Sequence, residues 1–275
     1  DGLPTADLGG LGGEPPEFSN VRWTTMPDLL PGMVGFKRDL YAGLEPVLDA
    51  ALDDFFAERK SVAFVGNSFV YFHDLPGTVA ALARAAEPPV ELEHARVVKG
   101  GQSLSGHAGD ERVREMLSRP WDYVVLQDNS NVPGGVDRAK LAASEAALRE
   151  VLGPAVARCG AAPVLYSTWG HRSGAVDEAN RAAYPDYETM QRLTSAGYES
   201  YAELLGAEGV LTAPVGRAFE LVHAESASGP GGALAPGSLF ARLFMPDAFH
   251  PSRLGTYLAA CVMLAVLLRR SPLGL

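Results

Sequence analysis

Ser68, Asp247 and His250 are the residue types that together perform acyl transfer, and each stands in a context that could expose it for that purpose. Such chemistry needs a hydroxyl nucleophile, an imidazole to take its proton, a carboxylate to fix the imidazole tautomer and hydrogen-bond donors for the oxyanion. Ser68 follows an apolar run that stops abruptly at Gly66-Asn67, in SVAFVGNSFVY. Asp247 precedes His250 by three residues, in DAFH. That spacing lets one turn set the carboxylate on Nδ1 and leave Nε2 for the serine. Each part also has a plain reading: a serine after Gly-Asn is an ordinary turn former, and Asp-x-x-His can be a helix cap with a satisfied histidine. The coexistence of the two is what points to chemistry.

Positioning these groups requires strands that end on one side of a sheet. Val62 to Val65 read as a buried strand, with a sharp exit at Gly66 and a helix over 74–86. A second strand over 90–98 ends at Lys99-Gly100-Gly101, where paired glycines permit close backbone approach to a ligand. A third, over 121–127, runs into Asp128-Asn129-Ser130-Asn131. A fourth, over 163–168, runs into Trp169-Gly170-His171, and a short fifth lies near 210–213. The spacing predicts intervening helices over 106–118, 138–157, 187–205 and 216–224, and a last one starting at Pro251, a favoured first helical position. This alternation implies an α/β domain in three α/β/α layers around a parallel sheet of about five strands. All strand exits then share one edge, where open α/β folds place their ligands.

Residues 1–35 hold seven Gly and five Pro and read as an N-terminal arm. Helical spacing resumes from Leu40, so 36–275 is read as the catalytic domain. The Gly/Pro/Ala-rich excursion over 225–246 is expected to form a wall or lid over the site. A net charge of −10 without any Lys/Arg cluster argues against nucleic acid and anionic membrane surfaces. The longest apolar run, 254–268, is too short to span a bilayer and reads as a buried helix. Cys159 and Cys261 allow two buried thiols or one bridge, not a disulfide scaffold. The chain starts at Asp1 rather than Met, which sets a secreted or periplasmic location slightly ahead of a cytoplasmic one as the expectation. No cofactor or metal is expected, because no His/Cys/Asp/Glu group has zinc spacing and no phosphate-binding glycine loop occurs. His73, His94, His107 and His223 are read as structural. Trp169 and His171 are candidates for lining the substrate pocket, with packing as the alternative for His171.

Four segments in order resemble the sequence blocks of the SGNH hydrolases, also called the GDSL esterase/lipase family. Gly66-Asn67-Ser68 resembles the Gly-Asp-Ser block with Asn67 for Asp. Val97-Val98-Lys99-Gly100-Gly101 resembles the second block and sets Gly101 at the oxyanion glycine, with Gly100 as the one-residue alternative. Leu126-Gln127-Asp128-Asn129-Ser130 resembles the Gly-x-Asn-Asp block, with Gln127 for Gly and Ser130 for Asp. Asp247-Ala248-Phe249-His250 matches the Asp-x-x-His block. TWGHR from Thr168 and HPSRLGTYLAAC from His250 further resemble a little-characterised bacterial branch of that family. The resemblance implies a flavodoxin-like fold and a metal-independent serine esterase. Ser68, His250 and Asp247 would be catalytic; the Ser68 and Gly101 amides and the Asn129 side chain would form the oxyanion hole. Asn67, Gly100 and Gln127 join Trp169 and His171 as substrate-binding candidates. Small acyl esters, acetyl groups on carbohydrate foremost, are the implied substrates, and lipid esters come second. Because two blocks are altered, a binding protein for a glycan or acyl ligand on the same fold is the rival reading.

Overall fold

A computed structural model describes residues 58–206 and 209–275. The arm expected over 1–35 and the helix expected from Leu40 lie outside the described residues. Five strands form one sheet in the order β2-β1-β3-β4-β5: β1 Glu58–Gly66, β2 Val90–Val98, β3 Tyr123–Leu126, β4 Ala162–Tyr166 and β5 Leu211–Ala213. Every neighbouring pair is parallel. The chain leaves β1 toward β2 on one side and returns to β3 on the other, so the crevice between the β1 and β3 exits is the topological switch point.

Alternation along the strands builds the two outer layers. Val62, Phe64, Val125, Val164 and Tyr166 face one helical layer, which contains α2 Leu75–Ala85, α9 Val215–Ala227 and α11 Arg253–Leu268. Ala63, Val65, Val124, Leu126 and Leu165 face the other, which contains α3 Leu104–Ala108, α4 Glu111–Met116, α6 Gly153–Arg158 and α8 Tyr187–Leu204. Cys159 packs in the second layer and Cys261 against the first, and both are free thiols, so the bridge is ruled out. The apolar run over 254–268 is the body of α11, and no helix among the described residues is long and apolar enough to cross a membrane.

Several element boundaries depart from the periodicity. The helix expected over 106–118 is two, because the Asp110 side chain accepts from the Arg112 amide and starts α4 afresh. The long helix over 138–157 runs without interruption as α5 Arg138–Ala147, a π-helical turn over Leu148–Leu152, and α6. Pro154 lacks an N–H for the helical ladder, which is a sufficient cause for the π-helical turn. Three short helices complete the set, α1 Ser68–Tyr71, α7 Glu178–Arg181 and α10 Leu239–Arg242.

The excursion over 225–246 is not a lid. Phe240, Leu243 and Phe244 are buried in the core against Phe219 and Tyr187, and none of its residues lines the pocket at Ser68. Nor does the last helix begin at Pro251, which pairs with Phe244 in an isolated antiparallel bridge. Ser252 is the N-cap of α11: its Oγ accepts from the Gly255 amide at 3.2 Å and donates to the Arg242 carbonyl at 2.6 Å. Ser252→Ala should therefore cost about 1 kcal/mol, read as a melting temperature about 2–4 °C lower. An unchanged melting temperature would mean the helix is capped otherwise.

Candidate active site

β1 ends at Gly66, and the next turn carries Asn67 and Ser68 into α1, Ser68–Tyr71. Asn67 is the N-cap of that short helix: its Oδ1 accepts from the Phe69 amide at 3.1 Å, and its Nδ2 donates to the Gln102 carbonyl at 3.0 Å. A side chain at position 66 would collide with Gln127 Oε1, 2.5 Å from an ideal Cβ, and with Val70. Gly66 is thus required by a close approach, and the backbone can turn sharply enough to set Ser68 at the sheet edge.

His250 reaches Ser68 from the far end of the chain. Its Nε2 lies 2.8 Å from Ser68 Oγ, and its Nδ1 lies 2.7 Å from Asp247 Oδ2. Asp247 Oδ1 also accepts from the amides of Phe249 and His250, at 3.2 and 3.0 Å, which closes the turn over Ala248 in its left-handed conformation (φ 69°). Burial works against the charge on Asp247, but the hydrogen bonds from the His250 side chain and from these two amides outweigh it and hold the carboxyl below its ordinary range. An ionised carboxylate only accepts, so Nδ1 carries a proton, and in the neutral imidazole Nε2 is the acceptor facing the serine hydroxyl. The turn is anchored on both flanks. Met245 N donates to the His250 carbonyl at 2.8 Å, and Arg172 N, beyond β4, donates to the Ala248 carbonyl at 2.8 Å.

Beside Ser68 opens a pocket of about 290 Å³ whose wall includes Gly100, Gly101, Asn129, Asn131, Val176 and Phe249. Gly101 holds a positive φ of 68°, a conformation open to glycine and costly for other residues. Among the described residues no protein acceptor pairs with the amides of Ser68, Gly100 or Gly101. Asn129 Oδ1 accepts from the Asn131 amide at 3.0 Å, and its Nδ2 donates to the Gly101 carbonyl at 2.9 Å. These partners fix the amide orientation and leave Nδ2 one further hydrogen to give.

The structure therefore brings Ser68, Asp247, His250, Gly100, Gly101, Asn129 and His171 to one site. It corrects two substrate-binding assignments. Gln127 is fully buried behind the nucleophile turn, its Oε1 accepting from the Asn67 amide at 2.8 Å and its Nε2 donating to the Asp128 carbonyl. Trp169 is also fully buried. It is stacked between Phe69 and Phe219 at 4.6 and 4.2 Å, and its Nε1 donates to the Phe249 carbonyl at 3.1 Å, so it braces the site from behind. Asn67 borders the pocket while its amide also holds the turn.

His171 does both things open to it: it borders the pocket and it packs, with Nε2 3.0 Å from Ser130 Oγ. Ser130, Val176 and Phe249 were not picked out by sequence as pocket residues. Phe249 lay between two that were, and its position inside the Asp-x-x-His turn is the signal that could have found it. Burial depresses His171 from its ordinary 6.5 to about 4, with Asp177 opposing weakly. An unfolded chain would protonate His171 first as the pH falls, so the stability this neutral imidazole carries is complete above about pH 6.5 and is lost toward pH 4. Compared with His171→Gln, the wild type should lose about 2–3 kcal/mol of unfolding free energy between pH 7 and 4. Using the difference cancels contributions from His107 and Asp128. Parallel pH profiles in denaturant titrations would contradict a buried neutral His171.

No family model and no curated protein matches the chain. Solved structures do. A candidate SGNH hydrolase from Slackia heliotrinireducens is 24% identical, with a TM-score of 0.56 over 76% of this chain and 98% of that one. A DUF4886 family protein from Bacteroides uniformis is 19% identical, with a TM-score of 0.57 over 78% and 84%. A catalytic mutant of an acetylxylan esterase from Geobacillus stearothermophilus is 16% identical, with a TM-score of 0.50 over 77% and 95%. Together with the 2-1-3-4-5 parallel sheet between two helical layers, these likenesses show that the chain has the α/β/α fold of the SGNH hydrolases.

Proposed function

We propose that the protein is a metal-independent serine esterase of the SGNH hydrolase family, cleaving small acyl esters through an acyl-enzyme. The observation that carries this reading is the unbroken chain from Ser68 Oγ to His250 Nε2 and from His250 Nδ1 to Asp247, at 2.8 and 2.7 Å. Ser68 Oγ attacks the ester carbonyl while Nε2 takes its proton. The negative charge that develops on the carbonyl oxygen is met by the Ser68 and Gly101 amides and by Asn129 Nδ2. Collapse expels the alcohol, which leaves with the proton from Nε2. A water then attacks the acyl-enzyme along the same route, giving its proton to Nε2 and releasing the acid and Ser68.

Two features favour short acyl groups on a polyol over lipid esters. The pocket at Ser68 is small, about 290 Å³, and its lining includes His171, Val176 and Phe249. Beyond Gly101, Asn129 and Asn131, which both cavities share, lies a second pocket of about 360 Å³ lined by Ser103, Asp137, Lys140 and Asn180 together with Val132 and Ala179. Its four polar side chains offer hydrogen-bond partners to a hydroxyl-rich leaving group, which an alkyl chain would leave unused. The acetylxylan esterase among the structural likenesses accords with an acetylated carbohydrate.

An organophosphonate should label Ser68 and no other serine, as read by intact mass and peptide mapping. Labelling elsewhere, or none, would count against an activated Ser68. Asn129→Ala removes a donor whose bond strengthens as the oxyanion forms, so kcat should fall by roughly 10² to 10³ with KM little changed. Asn131→Ala is the comparison within the same pocket wall, because Asn131 meets Asn129 through its backbone amide, which the substitution keeps. A near-normal kcat in Asn129→Ala, or a larger loss in Asn131→Ala, would place the oxyanion donor on another residue.

A further inference from the structure

Asp128 takes no direct part in the mechanism above and is nonetheless the most deeply buried carboxylate at the site, with no exposed surface. It follows β3 and lies next to Asn129 in sequence. Oδ1 accepts from the Asn129 amide at 2.7 Å and from the Leu104 amide at 2.9 Å. Oδ2 accepts from the Tyr201 hydroxyl at 2.8 Å, while the Asp128 amide donates to the Tyr198 hydroxyl at 3.1 Å. Leu104 opens α3, three residues after Gly101. One carboxylate oxygen thus ties the segment carrying Gly101 to the segment carrying Asn129, and two tyrosines on α8 anchor Asp128 to the helical layer, Tyr201 at the carboxylate and Tyr198 at the backbone amide.

Apart from one direct bond at the rim, the other bonds that relate these two segments run through β1 and the Asn67 turn between them. β2 and β3 are not neighbours, since β1 lies between them, so no ladder joins their exits. The direct link at the rim is the bond from Asn129 Nδ2 to the Gly101 carbonyl. Oxyanion donors act only if their spacing is fixed before the charge appears, and a misplacement on the order of 1 Å can cost roughly 10²-fold in rate.

We propose that Asp128, held by Tyr198 and Tyr201, is the positioning residue of the oxyanion hole, clamping the Gly101 and Asn129 segments at their catalytic separation. The proposal rests on the assignment of Gly101 and Asn129 as oxyanion donors. It concerns the geometry of the clamp, so an acceptor of the same shape should serve in place of the carboxylate. In Asp128→Asn the amide oxygen can accept from Leu104 and Asn129, and the amide nitrogen can donate to the Tyr201 oxygen. In Asp128→Ala both backbone amides lose their acceptor. Tyr201→Phe keeps the carboxylate and removes one of its anchors.

The test is kcat and KM for p-nitrophenyl acetate in the full chain, measured for the wild type, Asp128→Ala, Asp128→Asn and Tyr201→Phe. Each value is corrected for the fraction folded by near-ultraviolet circular dichroism. Asp128→Ala should lose at least about tenfold in kcat with KM within about twofold, because the clamp acts on transition-state contacts. Asp128→Asn should restore most of that loss, and Tyr201→Phe should fall between Asp128→Ala and the wild type. A folded Asp128→Ala with the wild-type kcat, or Asp128→Asn as impaired as Asp128→Ala, would overturn the clamp. If Asp128→Ala does not fold, Tyr201→Phe decides: a lowered kcat at constant KM supports the proposal and an unchanged kcat overturns it. A wild type that hydrolyses no ester would instead overturn the esterase reading itself.

Discussion

Parallel strands end with backbone groups that have no further ladder partner, and burying such groups unpaired is costly. At the edge where β1, β2 and β3 finish, side chains from the neighbouring exit satisfy them. Gln127, after β3, takes the Asn67 amide; Asn67, after β1, gives to the Gln102 carbonyl; Asn129 gives to the Gly101 carbonyl. His107 Nε2, from α3, gives to the Gly66 carbonyl at 2.8 Å. Burial pushes that imidazole below its ordinary range, so it stays neutral and can keep the bond without burying a charge. The same bonds that satisfy the strand ends therefore also fix Ser68, Gly101 and Asn129 relative to one another. Structural and chemical demands coincide on a few polar residues.

A second constraint joins the two ends of the chain. The Asp-His turn lies far from Ser68 in sequence, and its position is set by the β4 exit through the Trp169 bond to Phe249 and the Arg172 bond to Ala248. Trp169 also stacks flat on Phe69, the residue after Ser68. One buried indole thus contacts the nucleophile's helix and the histidine's turn together. The His250 ring itself sits between Phe72 and Phe249, at centroid distances of 4.4 and 4.0 Å. Such a packed ring has few orientations available, and the one it holds bonds to both Ser68 and Asp247.

Much of this was legible in the sequence. Alternating apolar runs located all five strands, because a buried parallel strand needs a continuous apolar stretch and ends where polar residues begin. The same rule put Ser68, Gly101 and Asn129 at one edge, and the Asp-x-x-His spacing placed His250 among them. What the sequence hid were directions. Gln127 and Trp169 stand at strand exits like the pocket residues, but their side chains turn inward, and period alone does not distinguish the two faces of an exit. Asp128 reads in the sequence as one more polar residue after a strand. The polar-tipped Tyr198 and Tyr201 on the buried stripe of α8 were the sign that something polar lay beneath them. The stretch over 225–246 misled for a different reason. Its Gly and Pro content fits a loop, yet Phe240, Leu243 and Phe244 are placed to fill the core.

The central claim is that Ser68, activated by His250, carries an acyl group in turnover. Rapid mixing of the protein with p-nitrophenyl acetate tests it most directly, comparing the wild type with Ser68→Ala. The account predicts a burst of p-nitrophenol approaching one equivalent per active site, followed by steady turnover, with both phases lost in Ser68→Ala. Turnover in Ser68→Ala at the wild-type rate, or no release above the uncatalysed rate in the wild type, would contradict it.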